Sequence, residues 1–320
     1  MQRATSSGEV GAIKQTNGWP QSALSGQKRV NGAPAMPPPA AEPPYRTAEP
    51  LHRAAEPGRL PINAQPVHLD YAKLRASRIV TPDDKSSAAY NEFRSLKRKL
   101  IPMTRDPETE VMTRNVVMVT SALPREGKTF TAMSLAICLA AERNLNVILV
   151  DGDVVRGSIA DYFHGRDFDG LVELLTETGG RIDDMLHPCV ELPGLHILFA
   201  GRRHETTPEL LASRRMGDIC AALSKQFKHS IVLFDTPPVL AASEPAAMAA
   251  HAHHLIMLVA SGQAGRHQIE AALAEVSSCP SISLLFNRSS EWQRPLSNSS
   301  YYYDSDDGAD EPQERSLESG

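Results

Sequence analysis

Cysteine is scarce in this sequence, and what there is does not cluster. Cys138, Cys189, Cys220 and Cys279 form no Cys-x-x-Cys pair, which argues against a structural zinc site or a disulfide framework and for small buried thiols in a reducing compartment. Long apolar runs are missing too. No stretch approaches the roughly 20 residues that a membrane helix needs, and the first residues hold no signal-peptide apolar region. The expected location is therefore cytoplasmic, with any attachment to the inner membrane made through a partner. Neither sign of charge dominates. A formal net charge of -5 gives the whole chain no field with which to hold nucleic acid.

Proline is plentiful but unevenly placed. Of 24 prolines, ten fall between Pro34 and Pro66. Residues 1–75, rich in Pro, Ala, Gly and Ser, cannot bury enough apolar surface to offset their ordering entropy and are expected to be disordered. The other end, residues 291–320, is an acidic tail, also expected to be disordered, with one oddity: Tyr301, Tyr302 and Tyr303 stand side by side with no core to join.

Between these ends the pattern changes. Ser86 or Ser87 is placed to cap a helix from Ala88 to about Leu100, with Tyr90, Phe93, Leu96, Lys97 and Leu100 on one face and Arg94, Lys97, Arg98 and Lys99 making the other basic. Further on, short apolar runs alternate with helical patterns. Strands are expected at 116–120, 147–150, 195–199, 231–234, 255–259 and 281–286. Helices are expected at 128–144, 170–177, 181–187, 208–212, 215–227, 241–250 and 263–276. Continuous rather than alternating apolar character indicates a mostly parallel sheet covered on both faces. The expected architecture is one doubly wound α/β domain over residues 76–290.

The most informative stretch is Asn115 to Asp153. An apolar β-branched run leads into SALPREGKTF, then an amphipathic helical pattern, then ILVDGD. Ala122, four residues, Gly127, Lys128 and Thr129 follow the phosphate-loop pattern, with alanine in place of the first glycine. Small residues let the backbone wrap an anion, and N–H groups at a helix start point at its oxygens. Pro124 has no N–H, so the cradle falls to Arg125, Glu126, Gly127, Lys128, Thr129 and Phe130. Lys128 is placed for the β- and γ-phosphates and Thr129 for Mg²⁺.

Three carboxylates end strands: Asp151 and Asp153 after ILV, and Asp235 after IVLF. Ligands of open parallel sheets bind at the carboxyl ends of strands, so all three should face the phosphate loop. Two of them suffice for a metal, and one beyond that suits a proton acceptor for an attacking hydroxyl. Asn287 and Arg288 end the last strand on the same edge, where an Asn amide matches adenine's donor and acceptor as readily as it ends a strand. His251, His253 and His254 lack the spacing of a helical metal pair and suit a helix C-terminus.

These motifs together resemble the bacterial tyrosine kinases that govern exopolysaccharide and capsule synthesis. The resemblance rests on SALPREGKTFTA, ILVDGDVVRGS, IVLFDTPPVL and PGLHILFAGRRHETTPELLAS, and covers nearly all of residues 85–290. With the tyrosine tail it looks most like the autokinases of exosortase A-linked polysaccharide clusters. It implies a P-loop NTPase fold and Mg²⁺-ATP. Catalysis would fall to Lys128, Asp151, Asp153 and Asp235, with Asp151 as base for the incoming tyrosine. Thr129, Asp151 and Asp235 would hold the metal, and Tyr301, Tyr302 and Tyr303 would accept phosphate from a neighbouring copy.

The resemblance further implies a separate transmembrane chain-length regulator as activator, a homo-oligomer of ring type, and a cognate phosphotyrosine phosphatase. Leu123 stands where related partitioning ATPases carry a lysine, which favours the kinase branch. A helix pattern that such kinases use for ring assembly, Glu-x-x-Arg-x-x-Arg, is replaced here by Asn91, Arg94 and Lys97. The alternative is a nucleotide-operated switch that hydrolyses ATP and signals by assembly, for which the tyrosine tail has no evident use.

Overall fold

A computed structural model of the protein describes residues 63–288, apart from residues 107, 110, 166, 177–179, 203–206 and 228. In chain order the elements begin with β1 (His68–Leu69), α1 (Tyr71–Ala76), α2 (Ala88–Thr104), β2 (Val116–Ser121), α3 (Lys128–Ala140) and β3 (Asn146–Asp151). A 3₁₀ turn (Ser158–Tyr162), β4 (Phe163–His164), α4 (Leu171–Leu175), α5 (Ile182–Met185), β5 (Leu186–Pro188) and β6 (Leu195–Leu198) follow. The chain continues with α6 (Thr207–Leu211), α7 (Arg214–Gln226), β7 (Ser230–Asp235), α8 (Glu244–Ala249), β8 (His254–Ala260), α9 (Arg266–Glu275) and β9 (Ile282–Asn287).

Seven strands form one sheet in the order β5-β6-β3-β7-β2-β8-β9, all parallel except β5, which runs against β6. The central strands show why their sequences are apolar without interruption. Successive side chains of a strand point to opposite faces. In β2, Val117 and Val119 enter one core while Val116 and Met118 enter the other. In β3 the pairs are Val147 with Leu149 and Ile148 with Val150, and in β7 Ile231 with Leu233 and Val232 with Phe234. The first core is closed by α2 and α3, and the second by α4, α7 and α8. All four cysteines are free and buried. No described helix is long and apolar enough to cross a membrane.

Several expected boundaries move, each for a local reason. Residues 63–75 belong to the fold rather than to a disordered region. Val67, Leu69 and Leu74 are buried, the Val67 N–H donates to Pro188 O at 2.9 Å, and Asp70 caps α1 by accepting from the Lys73 N–H. Composition averaged over 75 residues hides this short ordered strap. The α3 helix stops at Ala140, and Asn144 takes a left-handed φ of 62° that turns the chain into β3. The helix expected at 181–187 is one turn followed by β5, because Leu186 pairs with Leu198 at the sheet edge, where Pro188 costs no ladder bond.

Ser87 caps α2, its hydroxyl accepting from the Tyr90 N–H, and the helix runs on to Thr104. Lys97 is not part of an exposed basic face. It is buried, donates to Cys138 O near the end of α3 at 3.2 Å and pairs with Glu142. A cation there meets the carbonyls left unpaired by the last turn of α3.

Candidate nucleotide site

The loop between β2 and α3 is held from three sides. Glu126 is fully buried, and its carboxylate accepts the Leu123 N–H at 2.7 Å and the Ala260 N–H at 3.1 Å. From the end of β9, Asn287 Nδ2 donates to Glu126 O at 2.8 Å. From the segment after β7, the Leu240 N–H donates to Ala122 O at 3.2 Å. Arg125 and Gly127 both adopt left-handed backbone, with φ of 66° and 96°. A Cβ at Gly127 would stand 2.4 Å from Asn287 Nδ2, so glycine is required there both by conformation and by space. The loop ends at Lys128, where α3 begins and its first N–H groups are free of helical partners.

Beside this cradle, the register of the parallel sheet sets Asp151 opposite Asp235. Gly152 lets the two strand ends close up, its N–H donating to Asp235 O at 2.7 Å. Both aspartates are wholly buried, and Asp153 and Lys128 are 7% and 6% exposed. Asp235 Oδ2 accepts from the Thr129 hydroxyl at 2.6 Å, and Asp151 Oδ2 from the Ile159 N–H at 3.0 Å. The other oxygen of each, Asp151 Oδ1 and Asp235 Oδ1, is buried without a partner.

The electrostatics follow from that crowding. Burial pushes Asp235 up to about 7, against the Thr129 hydroxyl bond and the nearby Lys128 ammonium. Burial, and then the neighbouring Asp235, raise Asp151 well above the ordinary carboxylate range. Asp153 is raised by burial against a bond from the Arg156 N–H and the Arg156 charge. Lys128 is lowered by burial while Asp235 and Asp153 pull it back. Two carboxyls with unused buried oxygens, beside a lysine, make a site short of positive charge.

Hard-oxygen donors of this kind suit Mg²⁺, which takes one or two carboxylates and leaves other positions to phosphate and water. The Thr129 hydroxyl, Asp151 Oδ1 and Asp235 Oδ1 therefore fit the ion the sequence implies. Among the described residues no group of three His, Cys, Asp or Glu side chains is arranged to hold a metal unaided.

Of the residues singled out by sequence, Lys128, Thr129, Asp151, Asp153 and Asp235 come together. Four others sit where expected, and their side chains have tasks of their own. The Glu126 carboxylate braces the loop from inside. The Ala122 side chain is in the second core, and the Phe130 ring packs edge-on against Phe93 at 5.7 Å. The Asn287 amide is committed, its nitrogen to Glu126 O and its oxygen to the Arg288 N–H at 2.8 Å, so adenine readout by this side chain is not supported. Arg125 and Arg288 are exposed at the rim. Tyr301, Tyr302 and Tyr303 lie outside the described residues.

Two contributors escaped the sequence. The Ser158 hydroxyl stands 3.3 Å from that of Thr129, and Ile159 orients Asp151 through its backbone. The Gly-Ser pair after the second acidic strand end was the available signal. The histidines serve the framework. His253 Nδ1 accepts the Val116 N–H at 3.1 Å and His254 Nε2 bonds Met103 O at 2.6 Å.

A parallel sheet with a phosphate-type loop after β2 and acidic ends on the adjoining β7 and its neighbour β3 defines the P-loop NTPase fold. No family model matches the chain. Its relatives narrow the class. The chain is similar to the tyrosine-protein kinase ptk of Acinetobacter johnsonii, at 32% identity over 130 residues, which is 41% of this chain and 17% of the relative. It is similar to the tyrosine-protein kinase YwqD of Bacillus subtilis, at 29% identity over 52% of this chain and 68% of the relative.

Among solved structures, the kinase domain of the Escherichia coli tyrosine kinase ETK superposes with a TM-score of 0.55 at 22% identity. The match covers 72% of this chain and 92% of that one. The longer relatives extend well beyond the match, so the chain spans about a fifth of their length. The curated relatives are bacterial tyrosine kinases, and the architecture is that of their kinase domains.

Proposed function

We propose that this protein is an ATP-dependent protein-tyrosine autokinase acting in exopolysaccharide synthesis and export. In this reading one copy transfers the terminal phosphoryl group of ATP to Tyr301, Tyr302 or Tyr303 of a neighbour. The observation that carries it is the pairing of Asp151 with Asp235, each holding a buried and unused oxygen, within one site with Lys128 and Thr129.

Each residue has a separate task. The backbone from Arg125 to Phe130 wraps the phosphates, and Lys128 meets the charge that develops on the transferred group. Thr129 and Asp235 would hold Mg²⁺, which when bound would supply positive charge against the phosphates. The tyrosine oxygen attacks phosphorus, the bond to the ADP oxygen breaks, and the phenolic proton passes to Asp151. A carboxyl raised by burial is a stronger acceptor than an exposed one, which suits that role. Asp153, held by the Arg156 N–H at 3.3 Å, adds negative charge that keeps Lys128 cationic.

The same reading gives the protein a cytoplasmic place beside the inner membrane. Its activator would be the cytoplasmic part of a separate transmembrane chain-length regulator, it would assemble with its own copies, and a phosphotyrosine phosphatase would reset it. A mixing experiment tests the core. A Lys128→Met copy with intact tyrosines is incubated with Mg²⁺-ATP and an active copy carrying Phe at 301–303, with and without activator. Phosphotyrosine on the Lys128→Met copy is the expected result. Steady phosphate release with no phosphotyrosine on either copy would establish the switch instead.

A further inference from the structure

We infer that the molecule carries a second ligand site, for a small organic anion, at the end of the sheet away from the nucleotide. A cavity of about 360 Å³ opens there between α7 and the starts of β2 and β8, within the size range of small-molecule sites. Its floor is apolar, made by the buried Met112, Val116 and Cys220. Lys225, His251 and His253 stand around that floor, and none of the lining residues is acidic. Arg114 adds to the same sign, close enough to weigh on both His253 and His254. Asp218, the acid of α7, is exposed and does not line the cavity. Among the described residues neither Lys225, Arg114 nor His251 has an ion-pair partner.

The two imidazoles are held in place with donors to spare. His253 Nδ1 accepts the Val116 N–H at 3.1 Å, so the neutral ring carries its proton on Nε2. That N–H has no acceptor among the described residues. Burial, then His254 and Arg114, hold the ring below its ordinary pKa, so it meets an anion as a neutral donor while Lys225 supplies charge. His251 is seated across Gly217, where a Cβ would stand 2.7 Å from its Cε1, 3.1 Å from Nδ1 and 3.2 Å from Nε2. Glycine within a helix is unfavourable relative to alanine, and here the ring uses the space it leaves. A metal is not the ligand. Among the described residues no three His, Cys, Asp or Glu side chains are arranged to hold one, and burial pushes the Cys220 thiol up to about 12, so it stays protonated. An apolar floor beneath cations and donors fits a carboxylate or a phosphate monoester carried on a small apolar body.

The test uses the full chain with excess Mg²⁺-ADP to occupy the phosphate-type loop. It follows the His251 and His253 ring signals by NMR while phenyl phosphate or benzoate is added. These signals report on the cavity whether or not nucleotide binds. Either probe should shift both signals saturably, with a Kd of about 1 mM or tighter, and the tighter probe names the anionic group. Benzyl alcohol, the uncharged counterpart, should leave them in place. Lys225→Gln should weaken binding about tenfold, and because Lys225 is exposed the change spares the fold. Gly217→Ala should abolish binding by driving the His251 ring off its seat. No saturable shift with either probe, equal shifts with benzyl alcohol, binding indifferent to Lys225→Gln or to Gly217→Ala, or binding that appears only when residues 289–320 are removed would each overturn the proposal.

Discussion

Glu126 and Asp235 are both wholly buried carboxylates within reach of the same phosphate-type loop, yet they are opposite kinds of residue. Glu126 has a backbone N–H on each oxygen, from Leu123 and Ala260. Asp235 has the Thr129 hydroxyl on one oxygen and nothing on the other, and its neighbour Asp151 repeats the arrangement with the Ile159 N–H. A buried carboxylate that is fully bonded stabilises its surroundings, whereas one left half-bonded costs free energy until a ligand supplies positive charge. Burial alone therefore does not tell a structural acid from a functional one. The count of unused oxygens does.

The sharpest way to break that distinction is to make the same isosteric change at both places, starting with Asp235→Asn. Burial raises its pKa from 3.8 to about 7, so the folded state favours the neutral acid. The parent is then most stable below the unfolded value near 4 and loses stability as pH rises through about 7. The difference of about three units corresponds to an upper bound on the order of 4 kcal/mol. Asn keeps an acceptor for Thr129 and never ionises. The variant should lose activity by roughly 100-fold or more while melting at a higher temperature than the parent at pH 8. That gain should shrink towards pH 5. An unchanged or lowered melting temperature at pH 8 would mean Asp235 is not the strained group described here.

Glu126→Gln should move the other way. An amide offers one acceptor where two N–H groups need one each, and its NH₂ would abut the second donor. A loss of about 1–3 kcal/mol is expected, with a raised KM for ATP, because the loop loses its inner brace. Equal melting temperatures for Glu126→Gln and the parent would remove the contrast with Asp235.

Position 126 also shows where the sequence is legible and where it is not. That Asp151 and Asp235 face the loop follows from one rule, that open parallel sheets bind ligands at strand ends, and the rule needs only the strands to be found. Their uninterrupted apolar runs made that possible. What Glu126 does cannot be read the same way. Its partners Leu123 and Ala260 lie at separations of 3 and 134 residues, and no local pattern marks an N–H that β8 presents. Lys97 is the same problem at the helix level. It sits on the boundary between an apolar and a basic face, and only the docking of α2 on α3 decides that it goes inside. Local chemistry was legible from local sequence, while contacts that depend on a second element were not.

Asn287 offers the smallest test and the most discriminating one. Read from sequence, its amide is equally suited to adenine or to ending a strand. In the structure its nitrogen bonds the carbonyl of Glu126 and closes over Gly127, so it acts as an outer brace opposite the inner one at Glu126. Asn287→Ala removes two neutral hydrogen bonds, of which the one to Glu126 O reaches the loop; that bond is worth about 1 kcal/mol, which corresponds to roughly a fivefold rise in KM. A loop brace does not sense the base, so the rise should be the same with ATP and GTP, whereas a base reader would lose its preference for ATP alone. The two nucleotides measured side by side separate a residue that shapes the phosphate cradle from one that reads the ligand beyond it.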